Sequence, residues 1–66
     1  MTIRLNGDRC DLIGPLTVAE LLTYLDIDRR RVAVELNLLV LKRAAFDDTL
    51  VREGDEVEIV HFVGGG

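Results

Sequence analysis

Asn6-Gly7 constrains this chain more than any other pair of residues. Both residues take positive φ in a type I′ turn, the two-residue connection that suits the twist of a β-hairpin. The flanking segments alternate as hairpin strands do, with Met1, Ile3 and Leu5 on one side and Thr2 and Arg4 on the other. With Leu5 and Asp8 closing the turn, Arg4 faces Arg9, Ile3 faces Cys10 and Met1 faces Leu12. Every apolar member then falls on one face, so alternation and turn chemistry specify one register. The same register places Cys10 in the core.

Gly14-Pro15 ends the hairpin, and Thr17-Val18-Ala19-Glu20 reads as a capping box: the Thr17 hydroxyl caps the first turn and Glu20, at the third helical position, reaches back. Leu16 and Leu21 hold the two hydrophobic-staple positions. Val18, Leu21, Leu22 and Leu25 recur at i, i+3, i+4 and i+7, one apolar helix face that covers one side of a sheet. Asp26–Arg31 is a polar connection. Val32–Leu36 alternates as a strand, Asn37 offers a turn, and Leu38–Leu41 reads as another short strand. Ala44–Leu50 is irregular with room for a helical turn. Glu53-Gly54-Asp55 turns into a last strand, Glu56–Val63, where Val57 and Ile59 point one way and Glu56 and Glu58 the other. Strands with one helix inserted give an α+β class. The β-branched terminal strand is expected at the centre beside the first, in a mixed sheet of four to five strands curled around one main helix, the β-grasp arrangement.

Size and charge narrow the function. A core in 66 residues supplies only roughly 3–5 kcal/mol of net stability and leaves no room for a large cleft. Twelve acidic against eight basic residues give a net charge of −4, which repels nucleic-acid backbones. No apolar run approaches the roughly 20 residues of a membrane span. The single cysteine forms no internal disulfide, as suits a reducing cytoplasm. A small partner-binding protein is therefore expected rather than a self-contained enzyme.

Candidate chemistry inside residues 1–63 is sparse. Cys10 and His61 are a formal nucleophile–base pair, but a buried thiol behaves as a small apolar group and nothing brings His61 near it. One histidine and one cysteine give no metal-ligand spacing. Arg29-Arg30-Arg31 is read as a solvated connection, because Asp26 and Asp28 flank it. Asp47, Asp48, Glu53, Asp55, Glu56 and Glu58 face only Arg52 in their window, an acidic stretch that is either plain surface or a means of steering a basic partner to the adjoining C-terminus. Val60 and Phe62 share the outer parity of Glu56 and Glu58. They form either a docking patch or a surface covered by Leu38–Leu41.

Gly64-Gly65-Gly66 follows the apolar strand without a polar linker. Frayed tails are common, but three residues without Cβ atoms also suit a narrow passage. Extended, they carry a carboxylate about 10 Å beyond Val63, far enough to enter another protein's active site.

Val32–Asn37 is similar to the "VAVELN" strand of the ThiS family of thiamine-pathway sulfur carriers, and Arg52–Gly66 resembles that family's "REGD-x-VEIVHFVGGG" ending; Leu5-Asn6-Gly7 also fits. The resemblance spans essentially the whole chain. Leu38 departs from it, since the family usually has glycine after "ELN". The likeness implies a ubiquitin-like β-grasp domain over residues 1–63 and a glycine tail over 64–66. It implies a cytoplasmic carrier rather than an enzyme, binding no cofactor itself. A ThiF-type enzyme would adenylate the Gly66 carboxylate with ATP, a sulfur donor would convert it to a thiocarboxylate, and a ThiG-type thiazole synthase would take the sulfur. Gly64, Gly65 and Gly66 would enter the partners' active sites, with Val60, Phe62 and Leu38 as docking residues. A terminal carboxylate, with a pKa of roughly 3.3–3.7, is an anion and a poor electrophile at neutral pH, so activation by AMP removes the need for any acid, base or nucleophile on the carrier. The remaining alternatives are a molybdopterin-synthase small-subunit type of carrier, a protein-modifying tag, and a β-grasp binding module with an inert tail.

Overall fold

The computed structural model describes residues 1–63. Strands β1 (Thr2–Leu5), β2 (Asp8–Asp11), β4 (Val32–Leu36), β5 (Leu39–Val40) and β7 (Glu56–His61) form one sheet in the order β2-β1-β7-β4-β5. Only β1 and β7 run parallel; the other pairs are antiparallel. Helix α1 (Val18–Tyr24) lies on one face. A second, two-stranded sheet joins β3 (Leu16–Thr17) to β6 (Leu50–Val51). This is the expected β-grasp, with the last strand third of five beside the first.

The hairpin forms in the register that its alternation requires: Arg4 faces Arg9, Ile3 faces Cys10 and Leu5 faces Asp8. Asn6 and Gly7 both have positive φ, 50° and 84°. Backbone bonds in both directions between Met1 and Leu12 extend the pairing. Cys10 is half-buried against the edge of the core rather than sealed within it, because β2 is an edge strand.

Helix α1 is built from its ends inward. The Thr17 hydroxyl accepts from Glu20 N at 3.0 Å while Glu20 Oε1 accepts from Thr17 N at 2.8 Å, the expected reciprocal cap. The next two donors, Val18 N and Ala19 N, would otherwise lack partners; they donate to the carbonyls of Thr49 and Phe46. At the other end Asp26 takes the left-handed conformation with φ 58°, and bonds from Asp26 N to Thr23 O and from Ile27 N to Leu22 O close a Schellman motif. Val18, Leu21 and Leu22 are buried against Ile3, Val32, Val34, Val57 and Ile59 of the sheet.

Two segments differ from expectation. Leu50–Val51 is a strand, not part of an irregular stretch, since it supplies the antiparallel partner of Leu16–Thr17. Phe46 plugs the core at 1% exposure after a 3-10 turn at Arg43–Ala45. The strand expected over Leu38–Leu41 is confined to Leu39–Val40, because Leu38 belongs to the turn: Asn37 and Leu38 have φ of 51° and 72°. An L-residue in that region is strained by roughly 1–2 kcal/mol, yet the Leu38 side chain is 80% exposed and gives nothing back to the core. Replacing it by glycine, L38G, is expected to raise stability by about 1 kcal/mol, a melting rise of roughly 4–8 °C in a thermal scan.

Candidate functional site

Strand β7 ends at His61, two residues before the three glycines. Its inner residues Val57 and Ile59 are buried, whereas Glu56, Glu58 and Val60 look outward. Beyond the strand, Phe62 N donates to Arg31 O at 2.9 Å, so the sheet holds the chain for one more residue. Val60 and Phe62 are 56% and 58% exposed. The Leu38–Leu41 segment does not cover them, because β5 widens the sheet beyond β4 instead of folding across it. Val60 pairs with Ala33, and Val40, itself exposed, pairs with Glu35 on the same outer face. Leu38 protrudes from the tip of the β4–β5 hairpin. All three expected docking residues are exposed, but the fold does not bring them together: Val60 and Phe62 lie at the His61 end of β7 and just beyond it, whereas Leu38 tips the neighbouring β4–β5 hairpin beside Glu56, at the strand's other end. Gly64, Gly65 and Gly66, which carry the expected chemistry, lie outside the described residues.

The strand is gripped from both flanks by asparagine side chains that sequence reading recognised only as turn formers. Asn6 Oδ1 accepts from Ile59 N at 2.7 Å and Asn6 Nδ2 donates to Ile59 O at 3.2 Å. On the other side Asn37 Oδ1 accepts from Glu56 N at 2.9 Å, and Asn37 N donates to Glu56 O. Each asparagine ends its own strand in a left-handed turn and uses its amide to continue the ladder that the turn interrupts.

Other candidates resolve into structure. Cys10 sits beside Ile3, one residue short of the point where Arg4 meets Glu56, while His61 lies at the far end of β7 opposite Val32. Strand spacing separates them by roughly 20 Å, which excludes a nucleophile–base pair. Among the described residues no group of acids, histidine and cysteine is placed to hold a metal ion. The arginine run is a partnered connection, but of its two flanking acids only Asp28 engages it; among the described residues Asp26 makes no ion pair, and Asp47 takes Arg29. Arg29 makes a two-pronged bond to Asp47 at 3.0 and 2.9 Å and lies over the Phe46 ring, 5.5 Å from its centroid. Arg30 does the same to Asp28, through its side chain and its backbone N–H, and holds that carboxyl down at a pKa of about 2. The groove beside α1 is lined by Glu20, Arg29 and Asp47, whose charges are already engaged in the cap and the ion pair.

The sequence model of the ThiS family matches residues 3–66. The chain belongs to the ThiS family. The fold of this ThiS-family chain superposes with a TM-score of 0.88 on the crystal structure of a thiamine biosynthesis protein (ThiS) from Geobacter metallireducens, 45% identical, with all of both chains covered. It is 34% identical over 50 residues to the sulfur carrier protein ThiS of Bacillus subtilis, covering 76% of each chain. It is also 39% identical over 66 residues to a thiazole synthase of Paramagnetospirillum magneticum, of whose length it spans a fifth. Among the described residues no helix is long and apolar enough to cross a membrane.

Proposed function

We propose that this chain carries sulfur on Gly66. In this reading Gly66 is the last residue of the mature protein, and a ThiF-type enzyme joins its carboxylate to the AMP portion of ATP, releasing pyrophosphate. The terminal sulfur of a donor persulfide displaces AMP, a thiol splits the S–S bond, and a thiocarboxylate remains. A ThiG-type thiazole synthase then accepts the sulfur, with Gly64 and Gly65 threading its entrance and Val60, Phe62 and Leu38 resting against its surface. ATP is consumed by the activating partner in the cytoplasm, and the carrier binds no cofactor.

The carrier role in thiamine biosynthesis, without catalysis, accompanies membership of the family. The observation that supports the Gly66 assignment is the family match itself, whose span, residues 3–66, includes the three glycines. The exposed Val60–Phe62 strip at the root of the tail supports it. The test is intact-mass spectrometry after incubation with the activating enzyme, ATP and a sulfur donor. One oxygen is expected to be replaced by sulfur, localised to Gly66 by fragmentation. A protein whose mass stays unchanged while a control carrier is converted would overturn the assignment.

A further inference from the structure

The structure sorts the acidic stretch into groups the fold uses and groups it does not. Asp47 is taken by Arg29. Glu53 Oε1 accepts from Thr2 N at 3.0 Å, and Asp55 accepts from Asn37 Nδ2 and from Arg52 N. Among the described residues Asp48, Glu56 and Glu58 have no such role, and of the three it is Glu58 that is set against another acid. It stands directly opposite Glu35 on the outer face of β7 and β4, and neither carboxylate takes part in a side-chain hydrogen bond or ion pair among the described residues. Lys42, diagonal to Glu35 by strand register, pairs with neither. Like charges directly opposite in an antiparallel pair destabilise the sheet, so the free protein gains nothing from this arrangement.

The pair is continuous with the docking strip. Glu58 and Val60 follow one another on the outer side of β7, about 7 Å apart, and the exposed Phe62 comes just past the strand's end. A protein that draws in the terminus therefore meets Phe62 first, Val60 next and then the two carboxylates, roughly 13 Å from Phe62 and about 7 Å from Val60. An apolar strip backed by anions disfavours nucleic acid and anionic lipid, and fits a protein surface with an apolar centre and a cationic margin.

We propose that Glu35 and Glu58 together are a specificity element of the docking face, which recognises arginine or lysine side chains on the rim of the thiazole synthase that receives the terminus. This rests on the carrier reading above. Uncompensated in the free carrier, the two carboxylates gain their partners only in the complex. Charge pairs of this kind set association rate and orientation more than buried area does.

The experiment compares wild type, E58K and V60D for binding to the cognate thiazole synthase at low and high salt, with thermal melts of each carrier alone. E58K places an ammonium opposite Glu35, so it is expected to melt a few degrees higher than wild type. Its affinity at low salt is expected to fall on the order of tenfold, chiefly through slower association, and the gap is expected to narrow at about 1 M salt, where screening is strong. V60D is expected to weaken binding at every salt concentration. E58K binding as tightly as wild type at low salt, while V60D does not, overturns this inference and leaves the carrier reading standing. Wild type that fails to bind at all overturns both. A dimer of the carrier alone that V60D dissolves reassigns the face to self-association and overturns the inference.

Discussion

A carrier lengthened by one alanine after Gly66 is expected to deliver no sulfur while melting at the wild-type temperature. The fold side of this expectation rests on the buried cluster, which runs from Ile3 to Ile59 and ends before the tail begins. The chemical side rests on position. One added residue moves the reacting carboxylate by about 3.5 Å and adds a methyl group to a segment that, in the proposed reading, enters its partner because it lacks Cβ atoms. Misplacing a reacting group by even about 1 Å costs on the order of a hundredfold in rate, so the extended protein falls below detection. Deleting Gly65 and Gly66 has the same consequence from the opposite direction. Thiazole formation with each variant, beside a thermal melt, is the measurement. Normal transfer from the extended carrier would contradict a free terminal carboxylate as the reactive group, and an unchanged rate after deletion would favour an inert tail.

Truncation of Phe46 is expected to abolish the folded state. Phe46 heads the fully buried side chains by size, and Phe→Ala changes in cores cost roughly 3–5 kcal/mol. A domain of this length holds only about that much in total. The loss reaches further than one cavity, because Arg29 lies over the ring and the Phe46 carbonyl receives the Ala19 N–H at the start of α1. F46A is expected to show no cooperative transition by far-ultraviolet circular dichroism. F46L, which keeps most of the apolar volume, is expected to retain one at a lower temperature. A cooperative melt of F46A within a few degrees of wild type would show that the segment around residue 46 is not part of the core.

Where the controlling interactions are local, they are legible from sequence. The first hairpin combines a turn pair of restricted φ with alternation on both sides, so turn chemistry and burial select the same register. The capping box at Thr17 and Glu20 spans four residues, and the parity of β7 is visible in Val57 and Ile59 against Glu56 and Glu58. Long-range pairings of very short elements are not legible. Leu16–Thr17 and Leu50–Val51 are two residues each, too short for a period, and each is defined only by the other. Phe46 is a single aromatic beside Asp47 and Asp48, so no pattern marks it as core. The amide bonds from Asn6 and Asn37 depend on β7 arriving between their turns, which neither turn specifies. At the candidate site, parity identified Val60 and Phe62, but whether β5 covered them depended on its place beyond β4 in the sheet. The carboxylates of Glu35 and Glu58 lie 23 positions apart in sequence, and only the β4–β7 register sets them face to face.

The grip on β7 has a mechanical consequence. If a partner takes in the segment after Val63, as the proposed function requires, tension runs along β7, which lies between β1 and β4 with the Asn6 and Asn37 amides fastened to it. Tension in that direction shears the ladders on both flanks, so many bonds share the load together and none is unzipped singly. In the proposed reading, a pull transmitted through Val63 would therefore load the sheet without peeling β7 from the body.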